Sequence, residues 1–486
     1  MISPLTLLRR NIYGCTVACL SLIALLLRLY QLDAQSLWND EMFTMQVAGL
    51  PFGGIRECLS VSYHHPPLFF YATAAVIRWL GTSAWSLRLL PALCGAATVP
   101  LLAVLGDRLY RRPAGLLAGL ICLVSPFHLA YSQEARPYAL AGFLALLSAG
   151  LFLLLRRRWS TSSAVGLLLA DIALLYSHHW GVFVVAAEAL IAFLVPSGEP
   201  KFRNRFALLL TGTVLLYLPG ISLAAHQAGT GMHDGWTWVD PPGPMNLINT
   251  FRAFSGSYFR MATSVFMTGG PIGTVAMGSL LILLGTAILP LLRGQAAYLV
   301  PGALLLLLIL LLPFGVSFFR PEIFVWFRYT FIAFPLFCLL LGAIAAEARS
   351  PGAAAASLFV FLLTEGFGTT IYFSGWSKSN VQEVCDYVAS TAPPETDFII
   401  RPASFAPLFG YYYRGRIPQT DEAYLDQPLG EVVDTARSFV YVSLDVPNPI
   451  RDYMNGHFRI VARRLFPGEA HLGWWVCIYA QPPDSD

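Results

Sequence analysis

The sequence predicts a mainly α-helical, polytopic membrane protein of about eleven transmembrane helices, with a small C-terminal α/β domain outside the bilayer. Three observations predict it. Of 486 residues, 56% are hydrophobic and only 12% are charged. That is half the charged share of an ordinary soluble domain, roughly 25%, and leaves too little polar surface to keep the chain in water. The apolar residues gather in runs near the ~20 residues that a hydrocarbon core of about 30 Å requires. The basic residues fall in short clusters between those runs, as cytoplasmic loops do in membrane proteins.

The runs lie around 12–30, 85–106, 113–130, 138–155, 162–177, 179–195, 206–224, 263–291, 297–318, 329–346 and 353–373. Arg9 and Arg10 precede the first. No small-residue cleavage site follows it, so it reads as a retained span rather than a removed signal peptide. A further candidate, Pro66–Leu80, is short, opens on Pro66-Pro67 and contains Arg78. Charge bias decides against its crossing. With that segment at the outer interface and the N-terminus cytoplasmic, Arg9/Arg10, Arg111/Arg112, Arg156–Arg158, Lys201/Arg203/Arg205, Arg293 and Arg349 all fall inside. The outer face then holds 31–84, 131–137, 177–179, 225–262, 319–328 and everything after 374. A bacterial inner membrane, with the tail periplasmic, is the expected location.

The boundary between the domains 1–374 and 375–486 is set by a change to soluble composition near Gly375. Ser379–Ser390 reads as a capped amphipathic helix. Asp397–Arg401, Phe439–Leu444, Phe458–Leu465 and Trp474–Ala480 read as strands. Roughly 110 residues suffice for a core of their own. Net charge is only +3, and its clustering gives no nucleic-acid signal. Cys15, Cys19, Cys94, Cys122 and Cys338 sit in apolar runs, where a thiol acts as a small hydrophobe. A Cys385–Cys477 disulfide is compatible with the sequence but not indicated by spacing.

The outer loops carry the residues able to do chemistry. Leu37-Trp38-Asn39-Asp40-Glu41 follows the first span. Adjacent carboxylates there suit a general base, Asp40 taking a proton from an attacking hydroxyl, or equally a capped helix N-terminus. Tyr63-His64-His65-Pro66-Pro67 offers two imidazoles, which as chain neighbours point to different faces and so do not suit joint metal ligation. Tyr131-Ser132-Gln133-Glu134-Ala135-Arg136-Pro137-Tyr138 offers Arg136 for bidentate phosphate recognition, with Glu134 to position it or to contact a sugar hydroxyl. The same pair could instead be an intra-loop ion pair. Ser177-His178-His179-Trp180 marks a tight outer turn in which Trp180 can be an interface anchor. Arg328-Tyr329, with Arg320 and Glu322, can meet a lipid phosphate or snorkel to headgroups. Trp236 and Trp238 suit sugar stacking or membrane dipping.

Within the spans, ionisable groups are few: mainly Asp171, Glu188 and Glu365. A lipid-linked sugar flippase or other transporter would carry its charges at mid-depth. A non-catalytic scaffold would leave the acidic and guanidinium groups scattered. Charged and aromatic residues from five outer loops instead suggest surface chemistry on a membrane-borne substrate, with Asp40, Glu134 and Arg136 meeting in one outward cavity.

The string Ser36-Leu37-Trp38-Asn39-Asp40-Glu41, then His65-Pro66-Pro67-Leu68, then Gly81 with Leu87-Arg88-Leu89, then Tyr131–Pro137, resembles the GT-C glycosyltransferases. The branch it is most similar to is the protein O-mannosyltransferase and lipid A aminoarabinose transferase superfamily. The resemblance covers the first 140 residues, with Arg328-Tyr329 before a Pro335-containing span also similar. It implies a polyprenyl-phosphate-sugar donor, inverting transfer without a nucleotide, and an acceptor protein, lipid or glycan. Carried over, the catalytic carboxylate is Asp40 with Glu41 beside it. The donor-phosphate arginine is Arg136 with Glu134, joined by His65, Arg328 and Tyr329; His64, His178 and His179 are further candidates. No cofactor is required, and a divalent metal is compatible with the pattern rather than demanded by it. Two departures stand out. No outer-face lysine precedes Lys378, and Tyr138 stands where some relatives have an aspartate.

Overall fold

The structure is a computed structural model that describes residues 4–61, 65–230, 241–261, 264–267, 270–294, 296–320, 323–348, 350–374, 378–392, 397–401, 405–413, 438–444, 455, 458–466 and 474–480. Contacts divide the chain into two units. The first comprises Met1–Leu32, Thr44–Phe259 and Phe266–Gly375; the second comprises Asp33–Phe43, Arg260–Val265 and Trp376–Asp486.

The first half of the chain forms α1 (Pro4–Leu29), α2 (Asn39–Gly49), α3 (Phe52–Val61), α4 (Leu68–Leu80), α5 (Ala84–Leu109), α6 (Arg112–Val124), α7 (Pro126–Ser132), α8 (Tyr138–Arg157), α9 (Thr161–Leu175), α10 (Gly181–Leu194) and α11 (Phe202–Thr230). Then come α12 (Pro244–Phe254), the strands β1 (Tyr258–Met261) and β2 (Ser264–Met267), α13 (Gly270–Leu292), α14 (Val300–Ser317), α15 (Phe334–Glu347) and α16 (Pro351–Ser374). Among the described residues, eight helices are long and apolar enough to cross a bilayer, and nine if the bent pair α6–α7 is one span. A count of eleven requires α9 and α10, at 15 and 14 residues, to cross as well. Side chains such as Leu22, Leu26, Leu169, Leu194 and Leu208 are more than half exposed on these helices. That is the expected surface of a protein whose solvent is lipid.

The α6–α7 break shows how local sequence sets the architecture. The expected straight span over 113–130 bends by 67°. Ser125, preceding Pro126, is extended (φ −72°, ψ 120°), as a pre-proline residue prefers. Its hydroxyl then accepts from the His128 N–H and starts α7. Pro126 has no N–H to give to the Cys122 carbonyl four residues back. The buried Arg28 of α1 supplies the missing donor: Nη2 lies 2.9 Å from Cys122 O and Nη1 3.1 Å from Leu123 O. Close helix contact depends on small residues. At the α5–α6 crossing, a Cβ on Gly106 would lie 2.3 Å from the Gly115 Cα.

Two expected boundaries are corrected. The stretch 225–262 is not loop throughout, because Pro244 opens α12 at its first helical position, where a proline costs nothing. The span expected over 263–291 begins only at Gly270, with Pro271 next, after the strand β2. Gly256 follows the cap of α12 with φ +61°, and a Cβ there would sit 2.6 and 2.8 Å from the Glu365 carboxylate oxygens. Gly256→Ala is therefore expected to cost about 1–2 kcal/mol for the left-handed backbone alone, plus the clash. A lowered unfolding midpoint of the purified variant checks it.

Helix α4 is 13 residues long, with Trp79 90% exposed. Arg78 donates to the Leu50 carbonyl at 2.7 Å and lies 4.0 Å over the Phe52 ring. The mid-span acids Asp171 and Glu188 share one partner: Ser148 Oγ lies 2.6 Å from Asp171 Oδ1 and 2.6 Å from Glu188 Oε1. They tie α8, α9 and α10 together.

The second unit contains α17 (Val381–Thr391), β3 (Asp397–Arg401), α18 (Ala406–Tyr412), β4 (Ser438–Leu444), β5 (Arg459–Phe466) and β6 (Trp474–Ala480). The strands form a sheet of order β3-β4-β6-β5. β3 and β4 are parallel; β6 runs antiparallel to both β4 and β5. Its core includes Val440, Val442, Val476 and Ile478. The helix expected at Ser379–Ser390 is shifted by one or two residues, since Asn380 gives no side-chain cap. The acceptor comes from elsewhere: the Gln382 N–H donates to Ser36 Oγ at 3.2 Å. Cys385 and Cys477 are both buried thiols outside any disulfide, so that bridge does not form.

Candidate functional site

In the first unit, four turns bring one cluster together. Arg136, 4% exposed, follows Glu134, whose carbonyl accepts the Arg136 N–H at 2.7 Å. The Arg136 Nη2 lies 2.6 Å from His65 Nε2. A guanidinium can only donate, so His65 accepts through Nε2 and keeps its proton on Nδ1. Within 6.1 Å of the His65 ring is that of His178, which in turn lies 5.7 Å from Tyr138 and 5.2 Å from Tyr329. The hydroxyl of Tyr131 donates to the Phe327 carbonyl and pins the 323–333 segment to α7.

His178 has a defined tautomer. Its Nδ1 accepts the Trp180 N–H at 3.1 Å, which leaves the proton on Nε2. That Nε2 is buried and has no partner among the described residues. Burial first, then the neighbouring His179 and Arg136, push the His178 pKa down to about 3. The ring is thus a neutral donor at any working pH. The sign of the linkage follows. Between pH 6.5 and 3 the unfolded chain binds a proton that the folded protein does not, so stability falls as pH falls. From pH 6.5 to 5 the loss is about 2 kcal/mol. Unfolding midpoints of the wild type and His178→Gln over that range are expected to differ in slope, the variant being the flatter.

Residues that sequence reasoning gave no role hold this cluster. Gln227 of α11 is 2% exposed. Its Nε2 donates to the carbonyls of Leu59 (2.8 Å) and His65 (3.2 Å), and its Oε1 lies 3.0 Å from His179 Nε2. His179 therefore faces α11 through this amide. Gln133 likewise donates to the Arg28 and Tyr30 carbonyls at the end of α1 and accepts from the Tyr372 hydroxyl at 2.9 Å. Arg328 is half-buried, with its guanidinium 5.7 Å over the Phe327 ring. His64, Glu322, Trp236 and Trp238 lie outside the described residues.

Asp40 and Glu41 belong to the second unit, in the first turn of α2. The helix dipole favours both there, so the capping and functional readings coexist. Their surroundings differ sharply. Glu41 is fully buried and its Oε2 lies 3.0 Å from Lys378 Nζ, itself 2% exposed. Asp40 is only half-buried. The segment is fixed by the Leu37 N–H, which donates to the Tyr412 hydroxyl at 2.6 Å, besides the Ser36 contact to α17. Glu41→Gln would break this buried ion pair and is expected to cost about 3–5 kcal/mol. Melting of the purified variant checks this, and adding Lys378→Met should restore most of the loss.

An apolar groove runs between α12 and α13, with a volume of about 710 Å³. Ile248, Phe251, Met277 and Leu281 line it, and Arg252 lies among them. Among the described residues, no group of three histidine, cysteine or carboxylate side chains is placed to hold a metal ion.

The chain is a multi-pass membrane protein with the fold of the GT-C glycosyltransferases. Residues 64–222 match the family described as dolichyl-phosphate-mannose-protein mannosyltransferase. ArnT from Cupriavidus metallidurans, solved in the apo state, is 13% identical with a TM-score of 0.60, the match covering 96% of this chain and 99% of that one. The same ArnT bound to undecaprenyl phosphate matches at 13% identity and a TM-score of 0.60, over 95% and 97% of the two chains. The archaeal oligosaccharyltransferase AglB from Archaeoglobus fulgidus, in complex with an inhibitory peptide and a dolichol-phosphate, is 12% identical with a TM-score of 0.53, over 98% and 75%. No curated protein matches the chain significantly in sequence.

Proposed function

We propose that the protein transfers a sugar from a polyprenyl-phosphate donor to an acceptor hydroxyl at the non-cytoplasmic membrane face, with inversion at the anomeric carbon. The observation that carries this reading is the buried Arg136 guanidinium beside a neutral His178 whose Nε2–H lacks an acceptor among the described residues. Both are donors of the kind that a phosphate oxygen accepts from. They lie in a protein with the fold of ArnT, which has been seen with undecaprenyl phosphate bound.

The chemistry follows in one displacement. Asp40 accepts the proton of the acceptor hydroxyl, and that oxygen attacks the anomeric carbon. The bond to the phosphate oxygen breaks on the opposite face, and the polyprenyl phosphate leaves with the electron pair. Arg136 meets the developing negative charge, aided by His178 and by Tyr329 at the rim. His65 holds the guanidinium in place. Glu41, neutralised by Lys378, positions the Asp40 turn rather than reacting. Arg328 and Glu134 contact donor phosphate and sugar, and His179 acts through Gln227. Cationic side chains stabilise the leaving group, so no step requires a metal. The branched apolar tail of the donor suits the groove between α12 and α13. The acceptor is a protein, lipid or glycan, the sugar a hexose or pentose, and the location a bacterial inner membrane with the second unit periplasmic.

The test is incubation of the purified protein with a panel of polyprenyl-phosphate sugars and candidate acceptors, following free polyprenyl phosphate. Release with at least one donor is expected. Release with none, from protein that still binds the lipid phosphate, would reverse the assignment in favour of a carrier.

A further inference from the structure

Helix α8 runs from Tyr138 to Arg157. Twenty residues at 1.5 Å each put its two ends about 30 Å apart, so whatever surrounds Arg157 lies at the membrane face opposite Arg136. A cavity of about 480 Å³ opens there, and among its lining residues are Tyr110, Arg156, Arg157, Ser197, Tyr298 and Glu347.

Charge is what sets this cavity apart. Its one carboxylate, Glu347, is already engaged by Arg111 at 2.7 Å. The nearby acids are engaged too, Asp107 with Arg112 at 3.8 Å and Glu199 with Arg205 at 3.1 Å. Arg156 and Arg157 have no carboxylate partner among the described residues. Arg156, 4% exposed, spends its donors on carbonyls at the end of α10: Ile191 (3.2 Å), Val195 (3.3 Å) and Pro196 (2.8 Å). That satisfies its hydrogen bonds but does not neutralise its charge. Arg157 is exposed and lies 5.9 Å over the Tyr110 ring, which is 6.0 Å from that of Tyr298. Two cations and two phenols thus face one open volume at the end of membrane-crossing helices.

We propose that this cavity binds a phosphate-bearing anion, supplied either by the headgroup of an anionic lipid in the adjoining leaflet or as a free phosphate. Basic pockets between helices on the arginine-rich side of a membrane protein suit such headgroups. Its size admits a glycerophosphate group; Arg157 supplies donors, Arg156 adds its charge, and the Tyr110 and Tyr298 side chains wall the volume. The site does not depend on the sugar-transfer reading.

The experiment uses the full chain in nanodiscs of phosphatidylcholine, with thermal unfolding as the readout. One arm adds increasing phosphatidylglycerol and the other adds inorganic phosphate. Each is run on the wild type and Arg157→Gln. Arg156 is left intact because it caps α10. A midpoint that rises with phosphatidylglycerol, with half-saturation shifted by about tenfold or more in Arg157→Gln, identifies a lipid site. The same pattern with inorganic phosphate identifies a free-anion site. Sugar transfer by Arg157→Gln should be unchanged. No rise in either arm, or an equal rise in Arg157→Gln, would overturn the proposal.

Discussion

Asparagine in place of Asp40 is expected to cut sugar transfer by about 10²- to 10⁴-fold, the share that a positioned general base supplies. The substitution isolates chemistry from folding. Asn is as good as Asp at a helix start, so the first turn of α2 should persist, and the buried neighbour pair Glu41–Lys378 is untouched. Donor binding should therefore survive while lipid phosphate release stops. Glu41→Gln separates the two carboxylates from the other side. Its loss should appear first as instability, and Lys378→Met should relieve it, a pattern not expected of a catalytic acid. Full activity in Asp40→Asn would remove Asp40 from the mechanism.

Arg136→Gln is expected to lower kcat by about 10²- to 10³-fold, as removal of a preorganised charge at a developing anion does. Affinity for the lipid phosphate should fall with it. The change also strips His65 Nε2 of the donor that lies 2.6 Å away. Arg136→Lys keeps the charge but not the planar fork, and should recover only part of the rate. Steady-state release of polyprenyl phosphate, with direct binding of the lipid phosphate in parallel, measures both effects. Unchanged binding in Arg136→Gln would place the donor phosphate elsewhere.

Much of this was legible in the sequence because bilayers constrain composition so strongly. Arginine clusters and apolar runs located the helices, and alternation located four strands of the second unit within a residue or so. The motifs around Asp40 and Arg136 were visible as strings. What stayed hidden depends on contacts between residues distant along the chain. Nothing local separates Asp40 from Glu41, yet successive side chains on a helix point about 100° apart. One lies half-exposed, while the other meets Lys378, more than 300 positions further on. The break at Ser125-Pro126 was readable from the proline, but its repair by Arg28 was not. Gln227 lies just past the run expected over 206–224, and only the fold shows that it carries His65 and His179. Helix α12 was missed because 11 residues of mixed polarity inside a long outer segment resemble loop.

The most direct measurement of the central claim is a single turnover from pre-bound donor of known anomeric configuration, with the product examined by NMR. One displacement, with Asp40 as base and Arg136 on the departing phosphate, predicts one equivalent of polyprenyl phosphate per protein and an inverted anomeric centre. A retained centre would demand a glycosyl-enzyme intermediate and two displacements, and would contradict the account.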